Sequence, residues 1–422
     1  MKKERYSSYC AYIIAIVLMI NCRTVWLSIP NLSSKLNIVS YFLLFFVSLL
    51  LIGINFSTIK NIKKIIITSI ILLLYFFIYL AFKPVEVDQN IKLLIVLLIT
   101  LWLVQIKGIS LPLILEDYSN IIVLVATVSI IMWVLVSILK IITPTSLVPF
   151  DWTSSNGFYT FIPTYRYIFF ETQNTSVPLF GNVIRNTSIF TEAPMASLNF
   201  SLALLIKIFF KGKNIYSKVI LIVAILSTFA TTGYILLILI FLIKWLDSDK
   251  RYFAYKLIFL IPIGIVVIIG IKLLINQRLV YGTESSSLRL DDYRVGFITF
   301  LQNPILGTGL GNSESLIKNM DNWRVYLTGL SNSISIIFAQ GGLYVGLVYI
   351  YAFIKGFFFS FKYKSIDAFM LVLGTLYLFV TTIFPFQYLL FVLLILFTNF
   401  DLYLQKDELS KEKVTLSNSL CK

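Results

Sequence analysis

Apolar runs close to the roughly 20 residues that a helix needs to cross a bilayer recur along this chain. IIITSIILLLYFFIYLAF (Ile65 to Phe82) is one of them. A peptide backbone in hydrocarbon must satisfy its polar groups internally, so such runs fold as helices or close into barrels. Barrel strands are short and alternate apolar with polar residues, and that pattern is absent here. The runs predict spans near 9–29, 37–56, 65–82, 91–106, 120–139, 194–210, 219–246, 256–275, 332–354, 366–384 and 386–404. Of the 422 residues, 58% are hydrophobic and only 13% charged. Soluble domains carry about a quarter charged residues. The expected fold class is therefore an all-α polytopic membrane protein, with residues 1–422 as a single integral membrane domain.

The net charge of +15 does not indicate nucleic acid. Most lysines lie in short clusters between the apolar runs, as in proteins oriented by positive charge on the cytoplasmic side. Lys2, Lys3 and Arg5 place the N-terminus inside. Lys60, Lys63 and Lys64 are inside, as are Lys207, Lys211, Lys213 and Lys218. Lys244, Lys250, Arg251 and Lys256 follow, then Lys355, Lys362 and Lys364, then the tail with Lys406, Lys411 and Lys413. The apolar N-terminus is similar to a signal peptide. It has no clear small-residue cleavage site and many spans follow, so it reads as a retained first helix.

One run breaks the parity. Val219 to Trp245 has basic residues at both ends, and its middle, STFATTGY, is rich in small and hydroxyl residues. It reads as two short helices broken near Thr232 and Gly233, both opening to the cytoplasm. A single tilted helix with an inverted charge pattern is the alternative. The first reading gives about 12 transmembrane or half-membrane helices with both termini cytoplasmic. Two long polar stretches then lie outside, the extracytoplasmic loops 140–193 and 276–331. Loops of that length are usually functional or disordered. Their many aromatics argue against disorder.

Arginine is segregated from lysine. Six of the nine arginines, Arg166, Arg185, Arg278, Arg289, Arg294 and Arg324, fall in the two external loops. Arginine binds phosphate through a planar fork and stays charged. The functional reading is an extracytoplasmic pyrophosphate or other anion site. The structural alternative pairs these arginines with Glu171, Glu284, Asp291 and Asp321.

SLRLDDYRVGFITFLQNPILGTGLGN (Ser287 to Asn312) holds two of these arginines. On a helical wheel over Leu288 to Gln302, Leu290, Tyr293, Phe297, Ile298, Phe300 and Leu301 share one face. Arg294 falls inside that stripe and Arg289 on its flank, while Asp291 and Asp292 point away. A charge in an apolar face needs a partner, so Arg294 points into a site or an ion pair. Pro304 ends the helix. Gly307, Gly309 and Gly311 follow no strand and are not read as a nucleotide loop.

IRNTSIFTEAPMASLNFSL (Ile184 to Leu202) opens the span after the first loop. Thr191 is placed to cap the helix and Pro194 suits its first turn. Glu192 is either a favourable charge at the helix dipole or a general base. Asp247-Ser248-Asp249 spells the D-x-D of metal-dependent glycosyltransferases, but beside Lys244, Lys250 and Arg251 it reads as a solvated turn. Three scattered cysteines and the absence of histidine leave no metal-ligand pattern, so no metal and no cofactor is expected.

Three pieces together resemble the O-antigen polymerase and ligase superfamily: Arg185 to Pro194, Leu288 to Gly311 and Gly329 to Leu347. Their order and sidedness match, and the sequence likeness is confined to these stretches. The resemblance implies a GT-C-like fold and a Wzy-type polysaccharide polymerase. Such an enzyme joins oligosaccharide repeat units carried on undecaprenyl or another polyprenyl pyrophosphate into O-antigen or capsular polysaccharide, at the outer face of the bacterial cytoplasmic membrane. Lipopolysaccharide ligases of the superfamily carry a histidine before the Asn of the third piece, where this chain has Ser331 ahead of Asn332. That favours the polymerase over the ligase. The implied mechanism is metal-independent. Arg185, Arg289 and Arg294, with Arg278, bind the pyrophosphate, Arg289 and Arg294 stabilise its leaving charge, and Glu192 is the base for the acceptor hydroxyl. The implied partners are polyprenyl-pyrophosphate-linked glycans, membrane lipid, a chain-length regulator and a flippase, with no nucleic acid. The rival class is itself a lipid-linked oligosaccharide flippase, which places charges within its spans and often shows internal repeats.

Overall fold

The computed structural model describes residues 2–30, 32–59, 61–106, 111–150, 160–177, 181–212, 214–248, 283–324 and 328–405. The expected span at 256–275, Arg278 and Asp249 lie outside the described residues.

The architecture is mainly helical. The N-terminal half contributes α1 (Lys2–Asn21), α2 (Ser33–Ile54), α3 (Ile62–Phe82), α4 (Val87–Leu103) and α5 (Leu111–Trp133), the last prolonged by a π turn at Val134–Ile138. After the first loop come α6 (Ala193–Phe209), α7 (Ile215–Ser227) and α8 (Thr231–Asp247). The C-terminal part holds α9 (Thr283–Gln302), the short α10 (Glu314–Ile317), α11 (Ser333–Lys362), α12 (Ile366–Thr381) and α13 (Tyr388–Thr398). Among the described residues, four helices are long and apolar enough to cross a membrane: Ser33–Ile54, Ile62–Phe82, Leu111–Ile138 and Ser333–Lys362. Ala193–Phe209, Ile215–Ser227, Ile366–Thr381 and Tyr388–Thr398 are shorter apolar helices.

Burial sorts these helices into centre and rim. Every residue of α13 from Leu389 to Phe397 is buried, and α6 is buried almost all round. A helix apolar on every side belongs inside. α2 and α3 instead expose Phe42, Phe46, Leu50, Ile67, Ile71, Leu74 and Phe77. Such a surface would be a liability in water and is what a lipid boundary requires.

The two ends of the bundle differ. Lys244, near the end of α8, pairs with Asp367 at the start of α12 at 2.6 Å, and Lys207, near the end of α6, bonds Asn120 on α5. The opposite end carries the first loop and α9. There the Tyr293 hydroxyl donates to Val380 O at 2.7 Å and Ser333 N–H to Thr382 O at 3.0 Å. These bonds join α9 and the start of α11 to the end of α12.

The first loop adds a departure from the all-α expectation. β1 (Ser146–Phe150), β2 (Thr160–Tyr165) and β3 (Phe169–Phe170) form an antiparallel sheet, and β4 (Asn174–Val177) pairs with β5 (Gly181–Ile184). Val148, Phe150 and Ile162 bury one sheet face against Val25, Ile29 and Phe170. The Trp26 indole donates to Tyr167 O at 3.0 Å, and the Trp133 indole to Ile184 O at 2.8 Å. Glu171, one of the acids offered as an arginine partner, instead accepts from the hydroxyls of Ser137 at 2.7 Å and Tyr165 at 3.0 Å. Burial first, and the carboxylate next, push the Tyr165 phenol upward, so it stays a donor.

Two breaks interrupt the helical core. The expected break between α7 and α8 falls at Thr228–Ala230, upstream of Thr232 and Gly233, with Phe229 at φ 49°. The Tyr234 hydroxyl donates to Leu226 O at 2.8 Å, tying the start of α8 to the end of α7 across the break. The second break lies within α11 at Gly342, where φ is 59° and ψ −161°. The stretch after Pro304 docks there as surrogate backbone. Thr308 N–H donates to Ala339 O at 3.0 Å and Gly309 N–H to Gln340 O at 2.9 Å. In return, Leu343 N–H donates to Pro304 O and Tyr344 N–H to Ile305 O, both at 2.8 Å. A Cβ on Gly307 would lie 2.3 Å from Gln340 O, so close backbone approach explains that glycine. Tyr79 closes the joint, donating to Gln340 O at 2.9 Å and accepting from Leu310 N–H at 3.1 Å.

Candidate functional site

The first cluster grows from the turn that ends the first loop. Arg185 is half-buried and reaches the break between α7 and α8. Its Nε donates to Thr228 O at 2.9 Å and its Nη2 to Phe229 O at 3.2 Å. It thus caps the carbonyl end of α7, the negative end of that helix dipole. Nη1 reaches Gln173 Oε1 at 3.3 Å, and the same Oε1 accepts Ala193 N–H at 3.0 Å. Gln173 thereby ties Arg185 to the start of α6, where Glu192 is the residue before the first helical turn.

That helix start corrects the expected cap. Glu192, not Thr191, holds the N-cap position, in extended conformation and without a side-chain capping bond. Thr191 is buried, and its hydroxyl makes no hydrogen bond among the described residues. Met195 and Ala196 N–H both bond Glu192 O at 3.0 Å, and Pro194 has no N–H, so the backbone donors here are spent. The Glu192 carboxylate is half-buried with no hydrogen-bond or ion-pair partner among the described residues.

The second cluster lies on α9, where the two acids face away from the apolar stripe as the wheel places them. Leu290, Phe297 and Leu301 are exposed, and Asp291, Asp292, Val295 and Thr299 are buried. Gly296 packs on Ser335 of α11, with no room for a Cβ. The apolar stripe faces outward because the opposite face carries a buried ion-pair network. Arg324, whose side chain is 0% exposed, donates to Asp292 Oδ1 at 2.6 Å, Asp291 Oδ2 at 3.1 Å and Gly329 O at 3.0 Å. Asp292 Oδ2 accepts Ser331 N–H at 2.8 Å.

Arg294 belongs to this network. Its Nε and Nη2 donate to Asp291 Oδ1 at 2.8 and 2.5 Å, and Nη2 also reaches Asp321 Oδ1 at 2.7 Å. Its Nη1 makes no hydrogen bond among the described residues. Burial pushes the Asp291 carboxyl up, but the bonds from Arg294 and Arg324 outweigh it and hold the group below its usual range. Of the two partners offered by sequence, an anion site or an ion pair, the described contacts of Arg294 are those of the ion pair.

Arg289 stands apart. It is half-buried, one helical turn before Tyr293, and close enough to Tyr293 and Tyr377 for its charge to act on both phenols. Burial raises the Tyr293 phenol and the Arg289 charge opposes that shift. Among the described residues no carboxylate pairs with Arg289. Arg185, Glu192, Arg289 and Arg294 therefore all lie at the end of the bundle opposite Lys207 and Lys244, on two separate supports. Sequence reasoning missed the central part of Arg324, whose acids lie 32 and 33 residues away, and it had no signal for Gln173.

No family model matches the chain, and neither the curated proteins nor the solved structures give a significant match.

Proposed function

We propose that the protein is a membrane glycosyltransferase that joins polyprenyl-pyrophosphate-linked repeat units into a polysaccharide. The arginine-bearing end faces away from the cytoplasm and both termini lie inside, in a bacterial cytoplasmic membrane. The observation that carries this reading is Arg289, a half-buried arginine among tyrosines with no described carboxylate partner. A guanidinium held in that state is suited to an anion supplied by a ligand.

Arg289 is the first donor to the leaving pyrophosphate. Arg294 offers it only Nη1, because its other edge is held by Asp291 and Asp321. Arg185 acts from the broken helix. Beside it the Thr231, Thr232 and Gly233 N–H groups open α8 with no acceptor among the described residues, a positive helix end of the kind that favours phosphate. In the transfer, an acceptor sugar hydroxyl attacks the anomeric carbon of the donor glycan. The hydroxyl proton passes to Glu192, the bond to the pyrophosphate oxygen breaks, and the lipid pyrophosphate leaves with that electron pair. Fixed donors stabilise that charge in the transition state, and the bulk of the two substrates supplies positioning.

Substitution of Arg289 tests the assignment. Arg289→Ala is expected to accumulate normally and to extend glycan about 100- to 1,000-fold more slowly, the loss typical of one such donor. Arg289→Lys keeps charge but not the fork and is expected to fall between. Wild-type polymer from Arg289→Ala at normal protein levels overturns it.

A further inference from the structure

The sheet of the first loop is apolar on both faces. Its inner face is buried against Val25, Ile29 and Phe170. On the outer face the register sets Leu147 opposite Pro163 and Pro149 opposite Phe161. Leu147 is 61% exposed and Phe161 65%. An antiparallel sheet with one wet face places polar residues there, and these positions hold none.

The face also continues another surface. On α5, Leu124, Ile131 and Ile138 recur at seven-residue spacing along one exposed stripe of a helix long enough to cross a membrane. The stripe runs on through exposed Leu139, Ile141 and Ile142 toward β1. Two cations flank this junction. Lys140 and Arg166 are both exposed, and Arg166 N–H bonds Thr145 Oγ1, the residue before β1, at 2.9 Å. Exposed Tyr167 and Ile168 complete the turn after β2. Cations and a tyrosine beside an apolar surface at the end of a span are the composition of a bilayer interface.

We propose that the outer face of this sheet, Leu147, Pro149, Phe161 and Pro163, rests in the bilayer leaflet from which α5 emerges, with Lys140 and Arg166 against anionic lipid headgroups. The occupant is lipid because the face extends the lipid-facing stripe of α5 and because Lys140 and Arg166, the exposed charges described beside this junction, are both positive. The first loop is then a raft lying on the membrane rather than a lobe in water, and its Arg185 end is held at headgroup height.

Nitroxide labelling in proteoliposomes of phosphatidylethanolamine and phosphatidylglycerol tests this. The label is placed by Phe161→Cys or Leu147→Cys after Cys10, Cys22 and Cys421 are replaced. Leu124→Cys on α5 serves as the lipid reference and Asn174→Cys on β4 as the water reference. The expected result at Leu147 and Phe161 is high accessibility to oxygen and low accessibility to a soluble nickel chelate, as at Leu124. Lys140→Glu with Arg166→Glu is expected to raise nickel accessibility at Phe161 several-fold. High nickel accessibility in the unaltered background places the face in water and overturns the proposal. Low accessibility to both relaxants means that protein covers the face, either residues 151–159 or a second copy, and overturns it equally. No change on charge reversal overturns the headgroup contact.

Discussion

Arg324→Ala removes the cation at the centre of the buried network on α9. Asp291 keeps Arg294 at 2.5 Å, so its charge stays compensated. Asp292, with a side chain 1% exposed, is left with one neutral donor, Ser331 N–H at 2.8 Å. Breaking a buried pair from one side costs about 3–5 kcal/mol, because the surviving charge is stranded. The cost falls locally, since the network joins α9 to the residues leading into α11. Hydrogen exchange of α9 amides from Val295 to Gln302, followed by mass spectrometry in detergent, reads local opening. Protection is expected to fall about 100- to 4,000-fold, the equivalent of that cost. Arg324→Ala combined with Asp292→Asn is expected to recover most of it, because no buried charge remains unpaired. Unchanged α9 exchange in Arg324→Ala, or no recovery in the double variant, refutes the network as the anchor of α9.

Other consequences follow from the same contacts. Arg294→Ala is expected to lower folded protein in detergent, with partial rescue by Asp291→Asn, whereas a purely substrate-binding arginine leaves protein levels unchanged. The Asp291 carboxyl is held below its usual range, so its stabilising contribution is complete above pH ~4. It is lost as pH falls through the lower folded value, and α9 exchange at neutral pH and at pH ~3 measures the difference. Gly342→Ala puts a Cβ 2.5 Å from Gly307 N in a backbone region that only glycine adopts readily, costing at least ~1–3 kcal/mol, and is expected to reduce the thermal midpoint. Gly233→Ala places a Cβ 2.2 Å from the Ser197 hydroxyl of α6 and 2.6 Å from Ile225 Cγ2, so it is expected to destabilise, and Ser197→Gly in the same chain to restore only part of the stability because the Ile225 contact remains.

The sequence was most legible where one physical rule dominates. Apolar length located α2, α3 and most of α11, because hydrocarbon leaves the backbone few alternatives. The parity of lysine clusters exposed the break in the 219–246 run. Its position was read three to four residues late, because the turn at Thr228–Ala230 is held by Arg185 from 43 and 44 residues away rather than by local glycine. The α9 wheel separated Leu290, Phe297 and Leu301 from Asp291 and Asp292, as the structure does, but it did not tell which of the two faces is buried. A charged face turns inward only when a distant cation such as Arg324 meets it, and no periodicity shows that. The strands were hidden by Pro149 and Pro163, which argue against central strands. Pro163 is tolerated because β3 pairs only with Thr164 and Tyr165. Of the site, the arginines as a group were legible from their segregation. Which of them meets a carboxylate among the described residues depended on tertiary contacts.

The central claim is polymerisation of lipid-linked repeat units, and it has a direct measurement. Purified protein in proteoliposomes is incubated with a defined polyprenyl-pyrophosphate-linked oligosaccharide in the presence of a chelator, and the glycan is sized by gel and mass spectrometry. A ladder rising by one repeat unit per step, with release of polyprenyl pyrophosphate and strong attenuation in Arg289→Ala, is the predicted result. Movement of the intact lipid across the bilayer without chain growth, or glycan transfer only onto a lipid A core, contradicts the account and assigns the chain to a flippase or a ligase.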